Sequence, residues 1–220
     1  MFSAVRVGVK MVLMAQTGAR PYRGVKAADR QAQRRARLLD AGLTVLGSGS
    51  GAEPLTVRGV CRQAGLSARY FYESFSDRDD FVGGVYDRVI ADLATTTQAA
   101  VTAAPPREQA RAGMANIVRS IAGDTRVGRL LFSAELADPV VVRKRDESST
   151  LLAMLLAQHV SQTFRLPEDD HLRAISHFTV GGVGQAITAW LAGQMAMTSD
   201  ELIELLASLL DQLADARSRQ

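Results

Sequence analysis

Four side chains in this sequence are well suited to holding an anion or a base edge: Thr56, Arg69, Tyr72 and Arg78. All lie in or just after the stretch Thr56-Val-Arg-Gly-Val-Cys-Arg-Gln-Ala-Gly-Leu-Ser-Ala-Arg-Tyr-Phe-Tyr-Glu-Ser-Phe75. The Arg69 guanidinium is a planar fork of donors that matches O6 and N7 of guanine. A Tyr72 hydroxyl suits a phosphate oxygen, and Thr56 at a helix start can reach phosphate beside amides that lack a helical partner. Arg78, opening a further helix, would add another phosphate clamp. Other chemistries find no support. There is no nucleophile elbow, phosphate loop, His-Glu zinc motif or recognisable carboxylate pair. His159, His171 and His177 lack cysteine partners and ligand-like spacing, so neither a metal nor a cofactor is expected. Gly181-Gly-Val-Gly184 follows no strand, and is read as small residues that let helices approach closely.

Positioning those residues requires two short helices and a tight turn. Thr56 can cap the first, and Gly65 can close it in the left-handed conformation. Ser67 is placed to cap the second, which the pattern carries through Phe75. Val60, Ala64, Leu66, Phe71 and Phe75 are spaced to pack the pair together and against a preceding helix. Arg58, Ser67, Ala68, Arg69, Tyr70 and Tyr72 remain as candidates for an exposed face, the part of a helix-turn-helix that enters the major groove. The preceding helix is expected from about Lys26 to Leu46, where Leu38, Leu39, Leu43 and Leu46 recur at helical spacing before Gly47-Ser-Gly-Ser-Gly51. Asp77 should cap a long helix from Arg78 to Ala103, stopped by Pro105-Pro106. Further helices are expected at about 106–122, 125–137, 140–164, 168–196 and 199–216. Pro139 and Pro167 sit at plausible starts, and Thr198-Ser-Asp-Glu201 has capping-box spacing. The chain therefore reads as all-α, with about nine helices.

Charge agrees with this placement. Residues 1–72 hold twelve Arg and Lys against three acids, whereas the remainder holds fourteen against twenty. A basic first third on an acidic remainder fits a polyanion-binding module joined to a part that avoids polyanions. The single cysteine, Cys61, excludes an internal disulfide, fits a reducing cytoplasm, and reads as a small buried side chain. Met11-Val-Leu-Met-Ala15 is too short for a secretory core, so residues 1–25 are expected to form a flexible arm, with Met11 or Met14 as alternative starts. Residues 174–199 lack Asp, Glu, Lys and Arg, but their polar residues and glycines favour a helix buried in protein, including at a subunit interface, over a membrane span.

Residues 26–82 resemble the DNA-binding domain of the tetracycline-repressor (TetR) family. The resemblance rests on Thr56, on Cys61 where the family often has alanine, and on Ala64-Gly65-Leu66-Ser67, Phe71-Tyr72, Phe75 and Arg78-Asp79-Asp80-Phe81. It implies a ligand-responsive repressor that binds a double-stranded DNA operator as a homodimer and is released by a small apolar or amphipathic effector. It further implies a dimer built mainly from the last two helices, a cavity in the helical core, and a fourth helix joining cavity to DNA. The expected layout is an arm over 1–25, a helix-turn-helix domain over 26–76, and a ligand-binding and dimerisation domain over 77–220. Phe132, Met154, Phe178 and Trp190 are candidate cavity residues, with plain core as the alternative for each. Gly59 within the second helix and Ala68-Arg69-Tyr70 in the third depart from the family pattern, so no operator sequence carries over. Two other readings compete: an architectural DNA binder without an effector, and a helical enzyme.

Overall fold

The computed structural model describes residues 22–48, 55–164 and 167–218. Among them nine α-helices succeed one another without a strand: α1 (Tyr22–Gly47), α2 (Val57–Ala64), α3 (Ala68–Tyr72), α4 (Arg78–Ala103), α5 (Gln109–Gly123), α6 (Thr125–Phe132), α7 (Pro139–Phe164), α8 (Asp170–Leu191) and α9 (Ser199–Ser218). A 3₁₀ turn, Pro106–Glu108, precedes α5. The chain divides into two compact units, residues 1–33 and 34–220. Of the first, the described part is the start of α1, largely exposed from residue 27 to 33. The second holds the rest of α1 and every later helix. Both Met11 and Met14 lie outside the described residues.

The helix ends obey local chemistry. Thr56 caps α2 by accepting from the Gly59 amide at 3.1 Å. Gly65, at φ 61°, ends α2 with its own amide on the Arg62 carbonyl and the Leu66 amide on the Cys61 carbonyl, the two bonds of a Schellman motif. Asp77 caps α4 through the Asp80 amide at 2.8 Å. The capping box before α9 is fully formed: Thr198 Oγ1 accepts from the Glu201 amide, while the Glu201 carboxylate accepts from the Thr198 amide and hydroxyl. Those two bonds hold the Glu201 carboxyl below its ordinary value.

Several helix ends differ from the sequence expectation: α1 begins at Tyr22 rather than Lys26, and α6 stops at Phe132 rather than near residue 137. Ser67 occupies the cap position of α3 in extended conformation, yet its side chain makes no capping bond, and the Tyr70 amide is held by the Ser67 carbonyl instead. That helix ends at Tyr72 rather than Phe75, the chain turning as the Ser74 and Phe75 amides both converge on the Phe71 carbonyl. Asp169, not Pro167, opens α8 by accepting from the Leu172 amide, and α8 stops at Leu191 before Gly193, whose φ is 70°.

One hydrophobic cluster joins the helix-turn-helix to the helices after it. Leu38, Leu39 and Leu46 of α1, Val60 and Cys61 of α2, and Phe71 and Phe75 pack with Phe81, Val82 and Val85 of α4, and with Leu130, Val140 and Val141 beyond. The core thus runs across residue 77 without a break. Three phenylalanines form its centre: Phe71 lies 5.5 Å from Phe75 and 5.1 Å from Phe81, and Phe75 meets Phe81 edge-on at 4.9 Å. Burial raises the Cys61 thiol pKa, in keeping with an inert packing residue. A second cluster joins Ala115, Val118 and Ile121 of α5 to Ile187 of α8 and to Leu202, Ile203 and Leu206 of α9.

Glycine at position 42 is set by the approach of α4 to α1. A Cβ there would stand 2.5 Å from Phe81 Cζ and 2.6 Å from a Val85 methyl. Gly42→Ala should therefore lower stability by about 1–3 kcal/mol, the usual cost of overpacking a filled core. Denaturant unfolding with an unchanged m-value would measure it; a Gly42→Ala chain as stable as the native one would contradict this packing.

Candidate nucleic-acid interface

The polar face predicted from sequence is outward-facing in the fold. Thr56, Arg58, Ser67, Ala68, Arg69 and Tyr72 are exposed, while Phe71 between them is completely buried. The periodicity explains this division: within α3, Phe71 faces the core while Ala68, Arg69 and Tyr72 face away. The Arg69 side chain is 84% exposed, and Tyr72 is 61% exposed. The capping bond uses the Thr56 oxygen as acceptor, so the hydroxyl proton can still be donated. Gly59 now has a reason, because a Cβ at that position would press to 3.1 Å on Thr56 Oγ1. The helix interior gives up some propensity there and the cap keeps its geometry.

Two predicted members of the face are held within the chain. Tyr70 is half-buried under Arg34, whose guanidinium carbon lies 4.5 Å from the ring centroid. All three guanidinium nitrogens of Arg78 are engaged: Nε donates to the Leu55 carbonyl, Nη1 to Asp79, and Nη2 to Asp138. The carboxylates raise the Arg78 pKa against an opposing desolvation. Arg78 therefore ties the start of α4 to the loop before α7.

Much of the basic charge counted in α1 also serves internal ties. Arg35 donates to the Ser74 carbonyl at 3.0 Å and stacks at 4.3 Å on Phe75. Arg37 donates to the Ala64 carbonyl at 2.7 Å, closing the end of α2. Both arginines satisfy helix- or turn-terminal carbonyls and fix α1 against α2 and α3. Exposed cations of α2 and α3 are Arg58, Arg62 and Arg69. Arg62 and Glu73 were not singled out by sequence reasoning. Glu73 lies one helical turn after Arg69 and accepts from its Nε at 3.0 Å, with Arg34 3.8 Å away on the other oxygen. The i, i+4 spacing of Arg69 and Glu73 was the available signal.

The four candidate cavity residues are not gathered in one place. Phe132 and Trp190 are half-buried against the second cluster, and the Trp190 indole donates to the Met197 carbonyl at 2.8 Å. Met154 on α7 and Phe178 on α8 are 58% and 73% exposed. An open groove of about 660 Å³ lies between α1, α4 and α7, but its walls are charged, with Arg35, Asp80, Asp87, Arg88, Arg143 and Lys144 among its lining. No group of His, Cys, Asp or Glu among the described residues could hold a metal ion, and no described helix is long and apolar enough to cross a membrane.

No family model matches this sequence, and no curated protein matches it. Solved structures do. A TetR-family transcriptional regulator from Syntrophomonas wolfei superposes with a TM-score of 0.68 at 13% identity, covering 83% of this chain and 95% of that one. The fatty acid degradation regulator FadR from Bacillus halodurans superposes with a TM-score of 0.62 at 16% identity, over 80% of this chain and 96% of that one. The transcriptional regulator FadR from Bacillus subtilis, in complex with stearoyl-CoA, gives 0.59 at 16% identity, over 80% and 96%. At such identities the likeness concerns architecture: this all-α chain, helix-turn-helix first and longer helices after, has the fold of the TetR-family transcriptional regulators.

Proposed function

We propose that this chain is a DNA-binding transcriptional regulator of the TetR type, a repressor that grips its operator as a homodimer in the cytoplasm and is released by a small effector. The observation that carries the reading is the outward face of α2 and α3, where Arg58, Ser67, Ala68, Arg69 and Tyr72 stand clear of a fully buried Phe71. Arg69 takes the base-reading role, while Thr56, Arg58 and Tyr72 take phosphate or base-edge contacts. Arg78, whose nitrogens are already engaged, is assigned to holding the frame.

The test is selection from randomised duplexes by the full chain. The native protein should enrich one two-fold symmetric sequence with half-sites about one helical turn apart or a multiple of it. Arg69→Ala should relax one position in each half-site by about 1–3 kcal/mol. Enrichment of no sequence would favour an architectural binder, and an unchanged motif in the Arg69→Ala chain would remove Arg69 from the base-reading role.

The homodimer is supported by an uncharged surface. Residues 148–164 of α7 and 174–191 of α8 contain no Asp, Glu, Lys or Arg, yet Leu151, Leu152, Met154, Leu155 and Phe178 in them are exposed. Side chains at Gly181, Gly182 and Gly184 would meet open space. A face without charge is complementary to a second copy of itself, as a two-fold interface requires. This shifts the expected interface from the last two helices towards α7 and α8, because Leu202, Ile203 and Leu206 of α9 are already buried within the chain.

For the effector, the stearoyl-CoA bound by the Bacillus subtilis regulator of similar fold supports an amphipathic ligand with a long apolar part. Phe132 and Trp190, half-buried where the second cluster meets its surroundings, are the residues we assign to its apolar end. Met154 and Phe178 fit the subunit interface better.

A further inference from the structure

Glu73 is an acid on a face otherwise suited to a polyanion, and its surroundings give it a task. Its Oε1 accepts from Nε of Arg69 at 3.0 Å, and Arg34 Nη2 stands 3.8 Å from its Oε2. Arg34 is itself seated over the Tyr70 ring at 4.5 Å. A carboxylate anchored from α1 thus grips the inner nitrogen of Arg69, the one arginine of α3. An arginine has five N–H donors, and this bond uses one of them. The two terminal nitrogens, the pair that can straddle guanine O6 and N7, remain beyond the grip.

Fold stability does not account for the pair. Arg69 precedes Glu73, the less favourable order at i, i+4, so each charge stands at the helix end whose dipole opposes it. An exposed ion pair of this kind adds little to folding. A carboxylate among phosphate-seeking side chains also lowers attraction to any duplex.

Resting on the reading of the chain as an operator-binding regulator, we propose that Glu73 is a positioning residue: it holds Arg69 by Nε so that the terminal nitrogens are set for one base pair, and it trades general affinity for sequence preference. Arg34 braces it. The pre-set side chain has less freedom left to lose on binding, which is where the preference gains.

The test uses the full-length chain with three variants, Glu73→Gln, Arg69→Ala and both together. Each is measured on the selected duplex, on that duplex changed at the Arg69-dependent base pair, and on an unrelated duplex. Glu73→Gln should reduce discrimination at that base pair by about three- to tenfold, the range for freeing one long side chain. Its affinity for the unrelated duplex should rise, because a negative charge has left the face. In the Arg69→Ala background the same change should have no further effect on discrimination. Equal weakening on all three duplexes would overturn the proposal, as would an undiminished effect of Glu73→Gln without Arg69. A new preference at a second base pair would also overturn it, since Glu73 would then be reading a base itself. A native chain that selects no sequence would instead overturn the functional reading, so the two failures are distinct.

Discussion

Phe71→Ala should destabilise the chain by about 3–5 kcal/mol, the range for truncating a buried phenylalanine and leaving a cavity. Phe71 has no exposed surface, and its ring touches Tyr72 at 5.3 Å, Phe75 at 5.5 Å and Phe81 at 5.1 Å. These partners belong to different segments: α3, the turn after it, and the first turn of α4. Removing the ring loosens α3 from α4 as well as from α1. Since domains of this size have about 5–15 kcal/mol in all, the loss is a large share of it. Thermal unfolding followed by circular dichroism should show a clear fall in Tm. Operator binding should weaken even well below that Tm, because Arg69 and Tyr72 leave from either side of the same residue. Phe71→Leu keeps most of the volume and should cost less than half as much. Equal losses for the two substitutions would mean that ring packing is not what orients α3.

The helix-turn-helix was legible because its signals are local. A cap at Thr56 and a left-handed glycine at Gly65 depend on residues within a turn or two of themselves, and both form as the sequence implies. The apolar spacing of Val60, Ala64, Phe71 and Phe75 likewise marks the buried side directly. The uses of the arginines were hidden. Arg35 and Arg37 read as part of a basic patch, but each reaches a carbonyl tens of residues away, at Ser74 and Ala64. Long side chains find partners through tertiary structure, and spacing along the chain carries no trace of that. Arg78 is a similar case, with Asp138 sixty positions later. Met154 and Phe178 illustrate another limit: helical periodicity marks an apolar residue without saying whether its own chain covers it. Ser67 shows a third, since a cap position does not oblige the side chain to bond.

That distinction between apolar and covered leads to the largest expected effect on binding. Leu151 and Leu155 are one helical turn apart on α7 and 53% and 51% exposed. Leu151→Arg with Leu155→Arg should leave the protomer folded, because the core positions of this stretch of the helix are Ala153 and Ala157, both almost fully buried. In a dimer joined through α7 and α8, however, the same change places two cations in an apolar contact, where only the one at position 151 has an acid a helical turn away, Glu147. Sedimentation should then report monomers with unchanged helical content. Two tethered half-sites gain about 100- to 10,000-fold over one, so operator affinity should fall within that range. The comparison that decides the interface is Leu205→Arg with Leu209→Arg on α9, whose leucines are exposed to a similar degree, 45% and 46%. That chain should remain dimeric. Monomers from the α9 pair and dimers from the α7 pair would return the interface to the last two helices. Deleting residues from Thr198 onward would not separate these outcomes. It would remove Leu202, Ile203 and Leu206 from the core they share with α5, and the protomer would lose its fold before its partner.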